Sequence, residues 1–123
     1  MDRKSRLYSY ISATIKNKKC TLIDINGMEE HVHLLIDLNP TVALSDLIKL
    51  VKQSSSRWIS DSNLFPFYEG WASEYYACSV SPGHVDAVKR YIENQREHHE
   101  GKDYGQEMQE FVNKMGMKLY TDN

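Results

Sequence analysis

The stretch HVHLLID, from His31 to Asp37, constrains the fold most, because its residue types alternate with a period of two. This period predicts a β-strand, since successive side chains of a strand point to opposite faces of the sheet. One face is apolar and consists of Val32, Leu34, Ile36 and Leu38. The other face is mostly polar and consists of His31, His33, Leu35 and Asp37. We therefore expect a hydrophobic core on one side of this strand and the floor of a polar site on the other.

Patterns on both sides of the strand predict the remaining elements. Apolar residues recur every four positions at Leu7, Ile11 and Ile15, which predicts an amphipathic helix from Arg3 to Lys18. The segment CTLIDING predicts a preceding strand, and its last two residues, Asn26 and Gly27, predict the tight turn of a hairpin. Further patterns predict a helix from Leu44 to Trp58, a strand in GWASEYYACSV, a helix from His84 to Gly101 and a shorter helix from Gln106 to Met115.

This order of elements predicts an α+β fold in which helices cover an antiparallel sheet. The chain has 123 residues, of which 41% are hydrophobic. A chain of this size and composition is suited to one domain with its own core, here residues 1–123.

Composition limits the kind of protein and its partners. The net charge is −2, so contacts to nucleic acid require local basic patches. Cys20 and Cys78 lie far apart without metal-ligand spacing, which favours reduced thiols in the cytosol. No apolar leader and no run of about 18 apolar residues is present, so we expect a cytoplasmic protein without a membrane partner.

Two pairs of residues carry candidate chemistry. His31 and His33 project from one strand face with their Cα atoms roughly 6.5 Å apart, so both imidazoles can reach one ion; hydrogen-bonded structural histidines are the alternative. Tyr91 and Gln95 lie four residues apart on the helix from His84, which places a nucleophile and a further ligand on one helix face. A solvated helix surface is the alternative for this second pair.

Together, HVHLL and the later YIENQREHH resemble the single-tyrosine HUH transposases of small bacterial insertion sequences, the IS200-like and REP-associated group. The resemblance extends from Leu7 to about Tyr120 and includes NKKC and EGWASEYYACSVSP in the family's order. It implies a ferredoxin-like, RRM-like HUH endonuclease fold in a bacterial cytoplasmic protein.

The resemblance also implies the chemistry. His31, His33 and Gln95 stand at the positions that bind a divalent metal, Mg²⁺ or Mn²⁺, and Tyr91 stands at the nucleophile. In the family, this tyrosine cuts single-stranded DNA at hairpin-flanked ends, retains the 5′ phosphate and leaves a 3′-OH. Family members are homodimers in which each tyrosine helix completes the partner's site. No small-molecule substrate is implied.

The chain departs from the family at two places. Glu30 stands where the family has Asp before the first histidine. The family also has a β-strand ahead of helix one, whereas this chain begins about where that helix begins, so we expect the first strand to be missing. A truncated or domesticated DNA-binding module is therefore the alternative to an active transposase. A replication-initiator nickase is less consistent with the short chain. The presence of both histidines, the tyrosine and the glutamine favours the enzyme.

Basic residues on two predicted helices are the candidate DNA contacts, because DNA-binding proteins place Lys and Arg against phosphates. They are Lys49, Lys52, Arg57, Lys89, Arg90 and Arg96. Solvated helix faces are the alternative for these residues.

Overall fold

A computed structural model describes residues 2–28, 31–66, 68, 70–71, 75–94, 104–117 and 120–122. Its elements, in chain order, are α1 (Arg3–Asn17), β1 (Thr21–Met28), β2 (His31–Asp37), α2 (Leu44–Ser62), β3 (Tyr75–Ala77), a short 3-10 helix (Pro82–His84), α3 (Val85–Glu93), α4 (Tyr104–Lys114) and β4 (Tyr120–Asp122). The predicted α+β class is confirmed. The described helices and strands are consistent with part of a ferredoxin-like fold.

Helix α1 forms where the spacing of apolar residues predicts it. The Asp2 carboxylate caps its first turn by accepting a 2.8 Å hydrogen bond from the main-chain N–H of Ser5. Leu7, Ile11 and Ile15 are the buried residues of this helix. The four-residue apolar stripe therefore becomes the face that α1 packs against the rest of the molecule.

Strands β1 and β2 form an antiparallel hairpin, but its turn is not at Asn26 and Gly27 as predicted. Asn26 pairs with His33 and Gly27 pairs with Val32, so both residues belong to the ladder. The ladder continues to the pair of Met28 and His31, and the connection, residues 29–30, lies outside the described residues. The prediction of a turn at Asn26 and Gly27 was wrong, because the pairing of both residues across the ladder outweighs the local turn preference of the Asn-Gly dipeptide.

An irregularity in β1 decides which of its side chains share a face. The register shifts between Leu22 and Asp24, which leaves Ile23 41% exposed. After this bulge, Ile25 pairs with Leu34 and therefore lies on the same face as Leu22, whose partner is Ile36. Asp24 and Asn26 lie on the opposite face.

The hairpin lies between two helical layers. One face packs against α1 and α2, where the main core consists of Leu7, Ile11, Ile15, Cys20, Leu47, Val51 and Ile59. The other face packs against α3, where a smaller core consists of Leu35, Val88, Tyr91 and Ile92. Met108 and Phe111 of α4 pack against this smaller core. The histidine face of β2 is thus covered by the helix that carries Tyr91.

The later part of the chain differs from the prediction in two respects. β3 is a three-residue strand, and it pairs antiparallel with β4, which the sequence did not predict. α3 ends at Glu93, and residues 95–101 of the predicted longer helix lie outside the described residues. Three-residue strands are too short to show a period, which explains why β4 was missed.

Two further expectations concern the cysteines and the membrane. Cys20 is buried in the main core and Cys78 is partly buried, and both are free thiols. In the part of the chain that the structure describes, no helix combines the length and the apolar character needed to cross a membrane.

Candidate active site

The floor of the candidate site is the polar face of the β1–β2 hairpin. His33 pairs across the ladder with Asn26, and Leu35 pairs with Asp24, so these four residues share one face. The β2 backbone places His31 two positions before His33, on that same face. The side chain of His31 lies outside what the structure describes.

Helix α3 brings Tyr91 onto this face. Tyr91 is 6% exposed and belongs to the same small core as Leu35. Its ring meets the ring of His33 nearly perpendicularly, at a centroid separation of 5.7 Å and an interplanar angle of 85°. The predicted nucleophile and one predicted metal ligand therefore lie side by side within a single chain. The second helix residue of the prediction, Gln95, lies outside the described residues.

Asn26 fixes the C-terminal end of α3 to the hairpin. Its side-chain amide donates hydrogen bonds to the main-chain carbonyls of Ile92, at 2.8 Å, and Glu93, at 3.3 Å. The last carbonyls of a helix have no partner within the helix, so a side-chain donor here satisfies them and anchors the helix. Sequence reasoning assigned Asn26 to a turn and missed this role, because its partners are 66 and 67 residues away.

Helix α4 completes the surroundings of Tyr91. The Tyr91 hydroxyl donates a 2.9 Å hydrogen bond to Oε1 of Glu107, which is 4% exposed. The ring of Phe111 stacks on the ring of Tyr91, with centroids 4.1 Å apart and planes 21° from parallel. Sequence reasoning did not single out Glu107. A signal was present, because Glu107 lies one turn before Phe111, which puts a carboxylate on the apolar face of an amphipathic helix.

Donors for a metal ion are present on the histidine face, although the described residues contain no group of three or more His, Cys, Asp and Glu side chains able to hold one ion. Asp24 is a diagonal neighbour of His33 on this face. One carboxylate oxygen of Asp24 accepts a hydrogen bond from the N–H of Ile25. The other is buried and lacks a hydrogen-bond partner among the described residues. A buried carboxylate oxygen on the same sheet face as an imidazole is chemically suited to a cation.

The predicted DNA contacts fall into two separate groups. Lys89, which is half-buried, and Arg90, which is exposed, lie on α3 beside Tyr91. Lys49, Lys52 and Arg57 lie on α2, in the layer on the opposite side of the hairpin. The ammonium group of Lys52 lies 5.8 Å from the centre of the Tyr75 ring. Arg96 lies outside the described residues.

The helix that carries Tyr91 thus packs against the hairpin face that carries His33. A family model described as "Transposase IS200 like" matches residues 1–95. The chain belongs to this family of transposases. The matched range contains His31, His33, Tyr91 and Gln95, and it ends before α4 begins. No curated protein and no solved structure matches the chain.

Proposed function

We propose that this chain is a metal-dependent transposase that cleaves and rejoins hairpin-flanked ends of single-stranded DNA through a 5′-phosphotyrosine intermediate. The observation that carries this proposal is the contact between the Tyr91 and His33 rings, 5.7 Å apart on the covered face of the hairpin. Membership of the transposase family supports DNA strand transfer as the reaction class.

The proposed reaction is a displacement at phosphorus by Tyr91. Its hydroxyl oxygen forms a bond to the scissile phosphorus, the phenolic proton is released, and the bond from phosphorus to the 3′ oxygen breaks to give a 3′-OH. One phosphodiester replaces another, so the bond energy is conserved and rejoining needs no ATP. In the rejoining step a 3′-OH attacks the phosphotyrosine, and the Tyr91 oxygen leaves.

The proposed cofactor is a divalent cation, Mg²⁺ or Mn²⁺. His31 and His33 would supply neutral imidazoles from one strand face, and Gln95 is the proposed third ligand. Neutral ligands leave the cation its full charge, and when bound it would polarise the scissile phosphate and stabilise the charge that develops there. Asp24 is a diagonal neighbour of His33 and is not one of these ligands, but its buried carboxylate on the same face would favour a cation nearby.

Two partners belong to the proposal. The first is single-stranded hairpin DNA. Lys89 and Arg90, the two residues before Tyr91 on α3, would contact it, while Lys49, Lys52 and Arg57 offer a second contact region on α2. Arg96 belongs with the first group by its position after Tyr91 in the sequence. The second partner is another copy of the chain, in a homodimer.

One observation favours the alternative of a DNA-binding module that does not cut. The Tyr91 hydroxyl is buried and donates a hydrogen bond to Glu107, so a DNA phosphate has no access to it. A binding module has no need of an accessible nucleophile. The experiment below separates the two functions.

The experiment compares Tyr91→Phe with the parent chain on single-stranded hairpin DNA in the presence of Mn²⁺ or Mg²⁺. The parent should form a protein–DNA adduct that survives a denaturing gel, and Tyr91→Phe should form none, because a phenyl ring supplies no oxygen. Tyr75→Phe is the matched control and should form the adduct. An adduct from Tyr91→Phe would exclude Tyr91 as nucleophile. DNA binding by the parent without an adduct on any hairpin would favour the binding module.

A further inference from the structure

The nucleophile proposed above is enclosed by its own chain. Tyr91 is 6% exposed, and Glu107, which accepts its hydroxyl hydrogen bond, is 4% exposed. Phe111 covers one face of the Tyr91 ring at a centroid distance of 4.1 Å. Both covering residues belong to α4 and lie four positions apart, so one face of one helix makes both contacts.

This arrangement is incompatible with attack on DNA. The scissile phosphorus has to come within about 3–3.5 Å of the attacking oxygen, along a line opposite the leaving oxygen. The Tyr91 hydroxyl is already hydrogen-bonded to Glu107 in a buried position. An ionised carboxylate at that place would also repel the phosphate that Tyr91 has to reach, because like charges at short range in a site of low dielectric disfavour each other strongly. Cleavage therefore requires α4 to leave Tyr91.

The covering helix belongs to a different part of the chain from the proposed catalytic residues. The family model ends at residue 95, after Tyr91 and both histidines, whereas α4 spans Tyr104–Lys114. The contact between Tyr91 and Glu107 thus joins the family region to a segment outside it.

We propose that α4 is an autoinhibitory cover, in which Glu107 and Phe111 hold Tyr91 in a closed state and single-stranded DNA competes with them for the tyrosine. The effect on cleavage rests on the function proposed above, whereas the closed state itself does not. Opening exchanges the hydrogen bond to Glu107 and the stack on Phe111 for contacts with the substrate. The cover keeps the nucleophile inactive until DNA occupies the site.

The first test measures access to Tyr91 without any DNA. Nitration of tyrosines by tetranitromethane, located by peptide mass spectrometry, is compared in the parent chain, Glu107→Ala and Phe111→Leu. Each variant removes one of the two contacts, and Phe111→Leu keeps an apolar side chain if Glu107→Ala fails to fold. Glu110→Ala is the control, since Glu110 is an exposed carboxylate on the same helix. In Glu107→Ala, the loss of the hydrogen bond between Tyr91 and the Glu107 carboxylate should raise the nitration rate of Tyr91 about tenfold.

The second test measures the covalent adduct on single-stranded hairpin DNA with Mn²⁺. Glu107→Ala and Phe111→Leu should form the adduct faster than the parent, and Glu110→Ala should match the parent. Slower adduct formation in Glu107→Ala, with Tyr91 nitrated faster, would overturn the cover and make Glu107 a group that assists attack. Unchanged nitration in both variants would overturn it as well. Faster nitration without an adduct from any form of the protein would support the cover and count against the transposase activity.

Discussion

The side-chain amide of Asn26 donates a 2.8 Å hydrogen bond to the main-chain carbonyl of Ile92, the residue that follows Tyr91. Asn26 is also the cross-strand partner of His33 in the hairpin. One side chain therefore ties the helix that carries the proposed nucleophile to the strand position that carries a proposed metal ligand. We therefore expect the loss of this link to change the separation of the Tyr91 and His33 rings, whose centroids lie 5.7 Å apart.

Asn26→Ala should weaken the docking of α3 on the hairpin. We expect a loss of about 1–2 kcal/mol in the free energy of unfolding, because the carbonyls of Ile92 and Glu93 lose their side-chain donor. Adduct formation should fall by about tenfold or more, since a small displacement of a nucleophile strongly slows attack. Urea unfolding and the gel assay measure the two effects. Asn113→Ala, at an exposed position of α4, is the control, and equal behaviour of the two variants would refute the link.

Leu35→Ala tests the smaller core beneath Tyr91. Leu35 is 6% exposed and packs with Val88, Tyr91 and Ile92, so its truncation should lower the free energy of unfolding by about 2–4 kcal/mol. Ile23→Ala is the matched control, because Ile23 is 41% exposed at the bulge of the neighbouring strand and its truncation should cost less than about 1 kcal/mol. Equal losses of unfolding free energy in urea for the two variants would mean that Leu35 is not packed in the smaller core as described.

His33→Ala should remove metal-dependent cleavage while largely preserving the fold, because His33 lies on the polar face of β2 and outside the main core. The same outcome is expected for His31→Ala. Circular dichroism and a Mn²⁺ titration followed by calorimetry test each variant. His84→Ala is the control, since His84 lies in the short 3-10 helix, where its ring contacts Ser81. Unfolding of the His33 variant without metal would indicate a structural histidine instead.

The proposed homodimer is tested by light scattering after gel filtration. In the described residues, the β1–β2 hairpin is a two-stranded sheet, and unpaired strand edges are common sites of pairing between chains. We expect a mass of twice 14.3 kDa at tens of micromolar protein. A monomer at that concentration would contradict the proposal. It would also exclude a site that is completed by the tyrosine helix of a partner chain.

Local periodicity was sufficient to predict the main helices and the strand at the centre of the site. The four-residue spacing of Leu7, Ile11 and Ile15 predicted α1, and the apolar spacing after Pro40 predicted α2. The two-residue alternation in HVHLLID predicted which residues share the face with His33. These signals succeed because a helix or strand that buries one face must repeat its apolar residues with its own geometric period.

The order of motifs also predicted the family, and the match of the family model to residues 1–95 confirms it. Roles for His31, His33, Tyr91 and Gln95 stay predictions, as do the metal, the DNA and the dimer. The structure adds that Tyr91 and His33 meet in one chain, a proximity that the two motifs alone left open.

By itself, the sequence determined the main helices and the two faces of β2, because the spacing of nearby residues encodes them. It also determined the type of protein, because the family's motifs occur in order along the chain. The tertiary structure decided the rest. A shift of register at Ile23 set the faces of β1, pairing across the ladder moved Asn26 out of the predicted turn, and packing of α4 placed Glu107 on the Tyr91 hydroxyl. Each of these depends on partners that are distant in the chain, and the free energy of such contacts is fixed only when strands pair and helices pack.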